Sequence, residues 1–534
     1  MALPPIDILL ALTGTYALYT LVRALRRRLH TTRLRGPPRS TFLGGPAARL
    51  YTRETGFSGR VFEEWAERYG GAYVLPGKMR RDSIVLCDPR AVAHVYAKDT
   101  YGYTQRAASK AASERLLGRG IFWADGDSHK RQRKTMTPGF SNAAIRQITY
   151  VFFDSAYKVK AAWDGWLESS EKGECIIEVQ HWMNHISLDS IGLAGFSHDF
   201  GCLRGEPALV GKIFDSFSEL DGSTPSTLLF LIRPLLPRFV MNMIPNKREG
   251  TIRLLNDTMG KIAEELLAKF KKEHDEGAEA GDRSVLGLLL KAGDSQSATR
   301  LTAEEVSADM KILIVAGYET TSISMTWALI ELARHQDKQA KLRAELLAEF
   351  GASDPSWDQL THGLPYLDAV VHEILRTHAP VPQGVRVAVE DDVIPLGAPV
   401  RTAAGALTDS VVVAKGTEIT VPIRAMNMST ALWGPDAREF KPERWLQGVD
   451  GVPAHEVSGY KHLLTFSDGP RICLGKGFAV AEFKAVLSVL IRDYIFELQD
   501  PSQTKLDAHV SLLPRPKFLG ESGPRVPLKV RRAE

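Results

Sequence analysis

A helical pattern of unusual length sets the first limit on the fold. Thr302-Ala-Glu-Glu305 is a capping box, in which a hydroxyl and a carboxylate each satisfy a backbone N–H at a helix start, and the pattern then runs to about His335. At the standard rise this helix is ~50 Å long, enough to cross a whole domain. Its middle is odd: Ala316-Gly317-Tyr318-Glu319-Thr320-Thr321-Ser322 places a glycine, an acid and hydroxyls in an apolar stretch. Helix propensity is poor there, and hydroxyls compete for backbone carbonyls. The segment is either a packing notch or a groove where a ligand lies against the helix, with Glu319 and Thr320 facing it.

The rest of the chain suits a mainly helical body with small β-sheets. Leu332 to Phe350 and Leu367 to Leu375 carry apolar residues at three- and four-residue spacing. Short strands are expected at Ser83–Cys87, Val385–Val389, Ser410–Ala414, Glu418–Ile423 and Arg525–Val530. From about Phe57 to Lys529 there is no low-complexity tract, so one large domain is expected over residues 57–534. The length of 534 residues would allow more domains, but no second linker divides the chain. Leu228 to Ile244 is strongly apolar yet broken by Pro234 and Pro237, so it reads as core or a membrane-dipping surface and not as a second span.

Charge sits mainly at one end. The net charge is +4, and residues 1–39 hold seven arginines against Asp7, which leaves the remainder at −2. The broad basic face expected of a nucleic-acid binder is therefore not implied. Four cysteines, Cys87, Cys175, Cys202 and Cys473, are too few for a disulfide framework and point to a reducing environment. The sequons at Asn256 and Asn427 read as chance. From Ile8 to Leu25 the chain is apolar enough to span nearly a bilayer core, and arginines follow directly. Residues 1–34 are therefore expected to form an uncleaved single-pass anchor with the body facing the cytosol. A cleaved signal peptide competes, but its basic segment should precede the apolar run. Gly36-Pro37-Pro38 then opens a stiff hinge over residues 35–56.

Near the C-terminus the chain reads Phe466-Ser-Asp-Gly469-Pro-Arg471-Ile-Cys473-Leu-Gly475-Lys-Gly477. The glycines permit tight turns that aim amides at Cys473, an arrangement that stabilises a thiolate and suits it to ligate a metal. Alone, Cys473 would more often be an inert buried cysteine. Phe466, Gly469, Arg471, Cys473 and Gly475 together resemble the Phe-x-x-Gly-x-Arg-x-Cys-x-Gly haem signature of cytochromes P450. The resemblance makes Cys473 the axial thiolate of haem b, with Phe466 and Gly475 beside the cofactor.

Further motifs recur in the family's order. Glu373-Ile-Leu-Arg376 is similar to its Glu-x-x-Arg, and Pro442-Glu-Arg444-Trp445 to its Pro-Glu-Arg element, which makes Glu373, Arg376 and Arg444 a structural network. Without that context Glu373 and Arg376 are a surface pair worth a few tenths of a kcal/mol. Ala316 to Thr321 resembles the oxygen-activation groove and assigns Thr320 and Glu319 to proton delivery, since a hydroxyl and a carboxylate can hold water and hand on protons. Buried haem propionates need cations; the resemblance nominates Arg471, Arg386 and Arg133. His129 stands where many relatives carry tryptophan, and is either a propionate donor or a solvated histidine. Lys130, Arg131 and Lys134 are a solvated face or part of a docking surface. Gly397 to Ser410 looks like an added loop.

The resemblance, to the anchored, fungal-like microsomal members, implies a monooxygenase in the endoplasmic reticulum membrane. Electrons come from NADPH through NADPH–cytochrome P450 reductase, with cytochrome b5 as a second candidate donor. The implied substrate is a hydrophobic small molecule, a terpenoid before a fatty acid or aromatic compound. Its pocket is expected between Tyr101 and Trp123, at Leu228–Ile244, along the central helix, at Val381–Gln383 and around Leu512–Leu513. A haem-thiolate isomerase or dehydratase, a haem sensor and an anchored scaffold are the rival readings.

Overall fold

The computed structural model describes residues 25–39, 59–77, 82–206, 247–275 and 300–533, apart from 352, 449, 450, 501, 503, 504, 511 and 522, together with 14, 15, 18, 22, 285 and 287. The longer helices are α1 (Arg60–Tyr69), α2 (Pro89–Ala97), α3 (Ala107–Leu117), α4 (Gly126–Met136), α5 (Asn142–Glu168), α6 (Val179–Phe196), α7 (Lys247–Asp275), α8 (Ala303–Arg334), α9 (Gln336–Phe350), α10 (Pro365–Thr377) and α11 (Lys476–Asp493). The strands are β1 (Ala72–Leu75), β2 (Ser83–Leu86), β3 (Tyr103–Thr104), β4 (Glu174–Glu178), β5 (Gly384–Ala388), β6 (Asp392–Arg401), β7 (Leu407–Val413), β8 (Glu418–Val421), β9 (Tyr494–Leu498), β10 (Leu506–Val510), β11 (Pro514–Phe518) and β12 (Pro527–Arg532). One sheet has the order β1-β2-β8-β5-β3, and smaller ones are β4-β12-β9, β6-β7 and β10-β11. Only β2 and β8 run parallel among these described pairs.

Helix α8 is the spine. Thr302 Oγ1 accepts the Glu305 N–H and the Glu305 carboxylate accepts the Thr302 N–H, so the capping box forms as expected. Nearly every residue from Val306 to Ala333 is buried, which explains a sequence that is apolar on all faces. Gly317 is where α6 crosses: a Cβ there would lie 2.8 Å from Ile191 Cγ1. The packing notch is therefore real, and it coexists with the groove.

Two expectations change. The added loop is most of a β-hairpin, β6-β7, with Ile394 and Val411 paired and fully buried and a register shift between Pro395 and Val400. Pro395, Gly397 and Pro399 read as turn residues, but a two-stranded sheet has only edges, where proline is tolerated. The start of the expected hinge also differs, because residues 31–39 lie against the body. The Thr32 N–H donates to Val412 O at 2.9 Å, the Ala403 N–H to Arg33 O at 2.6 Å and the Val74 N–H to Arg35 O at 2.9 Å. Among the described residues no helix is long and apolar enough to cross a membrane. Most of Ile8–Leu25, all of Leu228–Ile244 and residues 40–56 of the hinge lie outside the described residues.

Candidate functional site

A cavity of about 580 Å³ lies between α8, the segment before α4, the strand β5 and the loop leading into α11. Cys473 opens onto it: the side chain is exposed to the cavity while protein encloses it. The loop is held by the Cys473 N–H donating to Phe466 O at 2.8 Å and the Ile472 N–H to Gly469 O at 3.0 Å. Gly469 has φ +65°, and a Cβ there would sit 2.1 Å from Tyr96 O, so glycine is required. At Gly475 a Cβ would meet only Phe140 at 3.8 Å, so the protein alone does not demand glycine. Burial raises the Cys473 thiol pKa, while the Gly475 N–H, Arg133 and Lys476 pull it down. Of the four cysteines, only Cys473 lines the cavity.

Arg133, Arg386, Arg471 and His129 also line this cavity. Arg133 donates to Ile472 O, tying α4 to the cysteine loop. Arg386 grips buried Asp99 with Nε at 2.8 Å from Oδ2 and 2.9 Å from Oδ1. Arg471 bonds Asp125 at 2.6 Å, and Lys110 reaches the same carboxylate at 2.6 Å. Three guanidiniums and one ammonium against the carboxylates of Asp99 and Asp125 leave a surplus of two positive charges. His129 adds none, because burial, then Arg471 and Arg133, push its pKa down to about 4. It is buried and not the solvated histidine of the alternative reading. A thiol at one wall and a surplus cationic end fit a thiolate-ligated macrocycle with two carboxylates.

The central helix contributes Ile312, Leu313, Ala316, Gly317, Thr320, Thr321 and Ser324 to the lining. Thr320 Oγ1 donates to Ala316 O at 2.8 Å, which leaves its oxygen free to accept. Glu319 departs from expectation: it does not line the cavity. One residue along a helix turns the side chain by about 100°, and here that points the acid away from the groove. Its carboxylate, 1% exposed, lies 3.3 Å from Arg515 Nε on β11 and accepts the Leu513 N–H at 3.4 Å. The Leu512–Leu513 turn therefore meets the acid and does not belong to the described cavity wall.

The structural network is as expected and more deeply placed than a surface pair. Glu373 and Arg376, both 0% exposed, join through two bonds of 2.8 Å. Arg444 Nε adds 3.1 Å to Glu373 Oε1 and Trp445 Nε1 3.0 Å to Oε2. Arg376 also donates to the carbonyls of Asn427, Ala437 and Glu439. Arg131 is spent on Glu305 through bonds of 2.6 and 2.9 Å, which removes it from the docking-face reading.

Gln105, Arg106, Ser109, Ile121 and Phe122 line the cavity from the Tyr101–Trp123 stretch, as do Pro380, Val381 and Gln383. Asp99, Asp125 and Arg515 carry no local motif: their arginine or glutamate partners lie 287, 346 and 196 positions away. Asp309 was also missed, a buried acid on α8 that accepts the Ile121 N–H at 2.7 Å.

A cysteine-walled, arginine-ended cavity against a grooved central helix defines a haem-thiolate protein. The cytochrome P450 family model matches residues 36–519. Cytochrome P450 monooxygenase claU of Ampulloclitocybe clavipes is 53% identical over 99% of this chain and 98% of its own length. From the same fungus, claW is 52% identical with the same coverage. Cytochrome P450 monooxygenase 128 of Postia placenta is 34% identical over 93% of this chain and 92% of its own. The chain belongs to the cytochrome P450 family and is a monooxygenase that binds haem iron through a cysteine thiolate.

Proposed function

We propose that the enzyme inserts one oxygen atom of O2 into a hydrophobic small molecule, with a terpenoid of secondary metabolism as the favoured class. The observation that carries this is Cys473 and Thr320 opening onto one cavity whose remaining wall includes Ile121, Phe122, Ile312, Leu313 and Val381. Apolar walls favour an apolar ligand, with a few polar groups left to orient it.

Cys473 would ligate the iron, and Arg133, Arg386, Arg471 and His129 would hold the propionates, with Phe466 and Gly475 beside the ring. When bound, the thiolate-ligated iron supplies O2 binding and O–O cleavage. Thr320 holds a water through its free lone pairs and passes on its proton. Glu319 supplies protons only from behind Thr320, because its carboxylate is engaged by Arg515.

Electrons would come from NADPH through NADPH–cytochrome P450 reductase, with cytochrome b5 as a second donor. Residues 8–25 would anchor the enzyme in the endoplasmic reticulum membrane with the body in the cytosol. Fractionating a chain without residues 1–30 tests this; undiminished membrane association would reject it.

The test of the main reading is a reduced carbon-monoxide difference spectrum of membranes containing the chain, followed by turnover with reductase, NADPH and labelled O2. A strongly red-shifted Soret band and one labelled oxygen in the product are expected. Product without O2 would mean an isomerase or dehydratase, and a thiolate spectrum with no turnover of any hydrophobic panel would favour a sensor. Thr320→Ala should divert NADPH electrons into hydrogen peroxide, and unchanged coupling removes Thr320 from the proton path.

A further inference from the structure

The turn between α2 and β3 contains a buried acid that none of the recurring motifs includes. Asp99 is 0% exposed, and its oxygens are almost wholly committed. Arg386 meets it with Nε at 2.9 Å from Oδ1 and both Nε and Nη2 at 2.8 Å from Oδ2. Arg471 Nε stands 3.6 Å from Oδ1. These two arginines come from β5 and from the cysteine loop, elements 85 positions apart, and both line the cavity. Asp99 is thus the one described carboxylate that touches both.

The turn that carries it is strained. Thr100, buried and β-branched, has φ +79°, a region such residues rarely occupy. Its N–H donates to Asp99 Oδ1 at 2.9 Å and to Tyr103 O at 2.8 Å, and Asp99 forms a bridge with Tyr103. Backbone strain of this kind persists only where the surroundings over-determine it. Here the carboxylate orientation is what the strained turn fixes.

We propose that Asp99 is a positioning residue for the cofactor: it holds Arg386 and Arg471 at the angles from which their outer nitrogens meet the haem propionates. The proposal rests on the haem reading above. A different role for the same acid would be to compete with the propionates for the two guanidiniums, and the two roles predict opposite changes in haem retention. A positioning acid makes haem leave more slowly; a competing acid makes it leave faster.

The test is the rate at which haem passes from the purified full-length enzyme to an excess of apo-globin acceptor. Asp99→Asn should lose haem about tenfold faster, the scale of one charge-assisted bond in a buried site. Asp99→Glu, which keeps the charge, should restore most of the retention. In the Arg386→Gln background, Asp99→Asn should add less than it does alone, because its effect through Arg386 is already lost and only the Arg471 contact remains. If the single buried asparagine fails to fold, the double variant, which exchanges an ion pair for two amides, is read against Arg386→Gln alone: a further, smaller rise in haem loss through the Arg471 contact is expected, and no rise overturns the proposal. The reduction potential of bound haem should also rise in Asp99→Asn, since a negative charge is lost from the carboxylate end. Unchanged or slower haem loss in Asp99→Asn overturns the proposal, as does full additivity with Arg386→Gln. A wild-type enzyme that carries no haem sinks the parent reading, and this one with it, before any variant is made.

Discussion

The two ends of the cavity are built by different rules. Around Cys473 each cationic group is braced by a second protein group: Arg133 by Ile472, Arg386 by Asp99, Arg471 by Asp125 and Ala124. On the other side the wall is apolar and partly open, with Phe122 44% and Val381 39% exposed. That wall is tied to the spine through single contacts such as the Ile121–Asp309 bond. A fixed cofactor needs a preorganised polar cradle, whereas an apolar ligand needs only shape, which few contacts set and few changes can reshape. Chemistry is thus written in ion pairs and specificity in loosely held side chains.

The largest effect is expected at the braced end. Cys473→Ser should abolish the red-shifted Soret band and the activity together, measured by the carbon-monoxide spectrum and by turnover. Retention of both would erase the contrast, since the cradle would then serve no thiolate.

Next comes the buried network beneath it. Glu373→Gln leaves Arg376 and Arg444 without their shared carboxylate, and breaking a buried pair costs about 3–5 kcal/mol. Chemical denaturation should show that loss; a change below about 1 kcal/mol would place the network with ordinary exposed pairs.

The legibility of the chain follows the same divide. Cys473, Glu373, Arg376 and Arg444 could be read because their chemistry is carried by short, fixed spacings. Helix α8 could be read because its cap is local, Thr302 to Glu305. Asp99 and Arg386, 287 positions apart, share no local pattern, so only folding shows that they meet. Glu319 was placed in the groove because a motif gives adjacency along the chain, while a helix separates neighbours by rotation. The β6 strand was hidden by prolines that only an edge admits.

A smaller effect tests the helix that follows the cysteine loop. Glu482 on α11 is fully buried, and burial pushes its pKa up to about 8, with the Ser187 and Ser190 hydroxyls offsetting part of that. Unfolded, the same carboxyl ionises near 4.5. Between these values the folded chain keeps a proton that the unfolded chain releases, so stability falls as pH rises from about 4.5 to about 8 and levels off above. Glu482→Gln should remove that slope and gain on the order of a few kcal/mol relative to wild type near pH 8, read by denaturation at several pH values. Parallel pH profiles for the two proteins would show that Glu482 is ionised in the fold.

The smallest effect belongs to the loosely held wall. Asp309, buried on α8, accepts the Ile121 N–H, and burial pushes its pKa up to about 7. Gly120 lies so close that a Cβ would come within 2.5 Å of Asp309 Oδ1, so the loop rests directly on the helix. Asp309→Ala strips a buried N–H of its acceptor and should raise the substrate KM about tenfold by letting Ile121 and Phe122 drift. Asp309→Asn keeps an acceptor oxygen in the same place and should stay within about twofold of wild type. In both variants kcat and the carbon-monoxide spectrum should be unchanged, because no group of the cofactor cradle has moved. If Asp309→Ala instead lowers haem content while KM stays constant, the wall and the cradle are one mechanical unit, and the division between them fails.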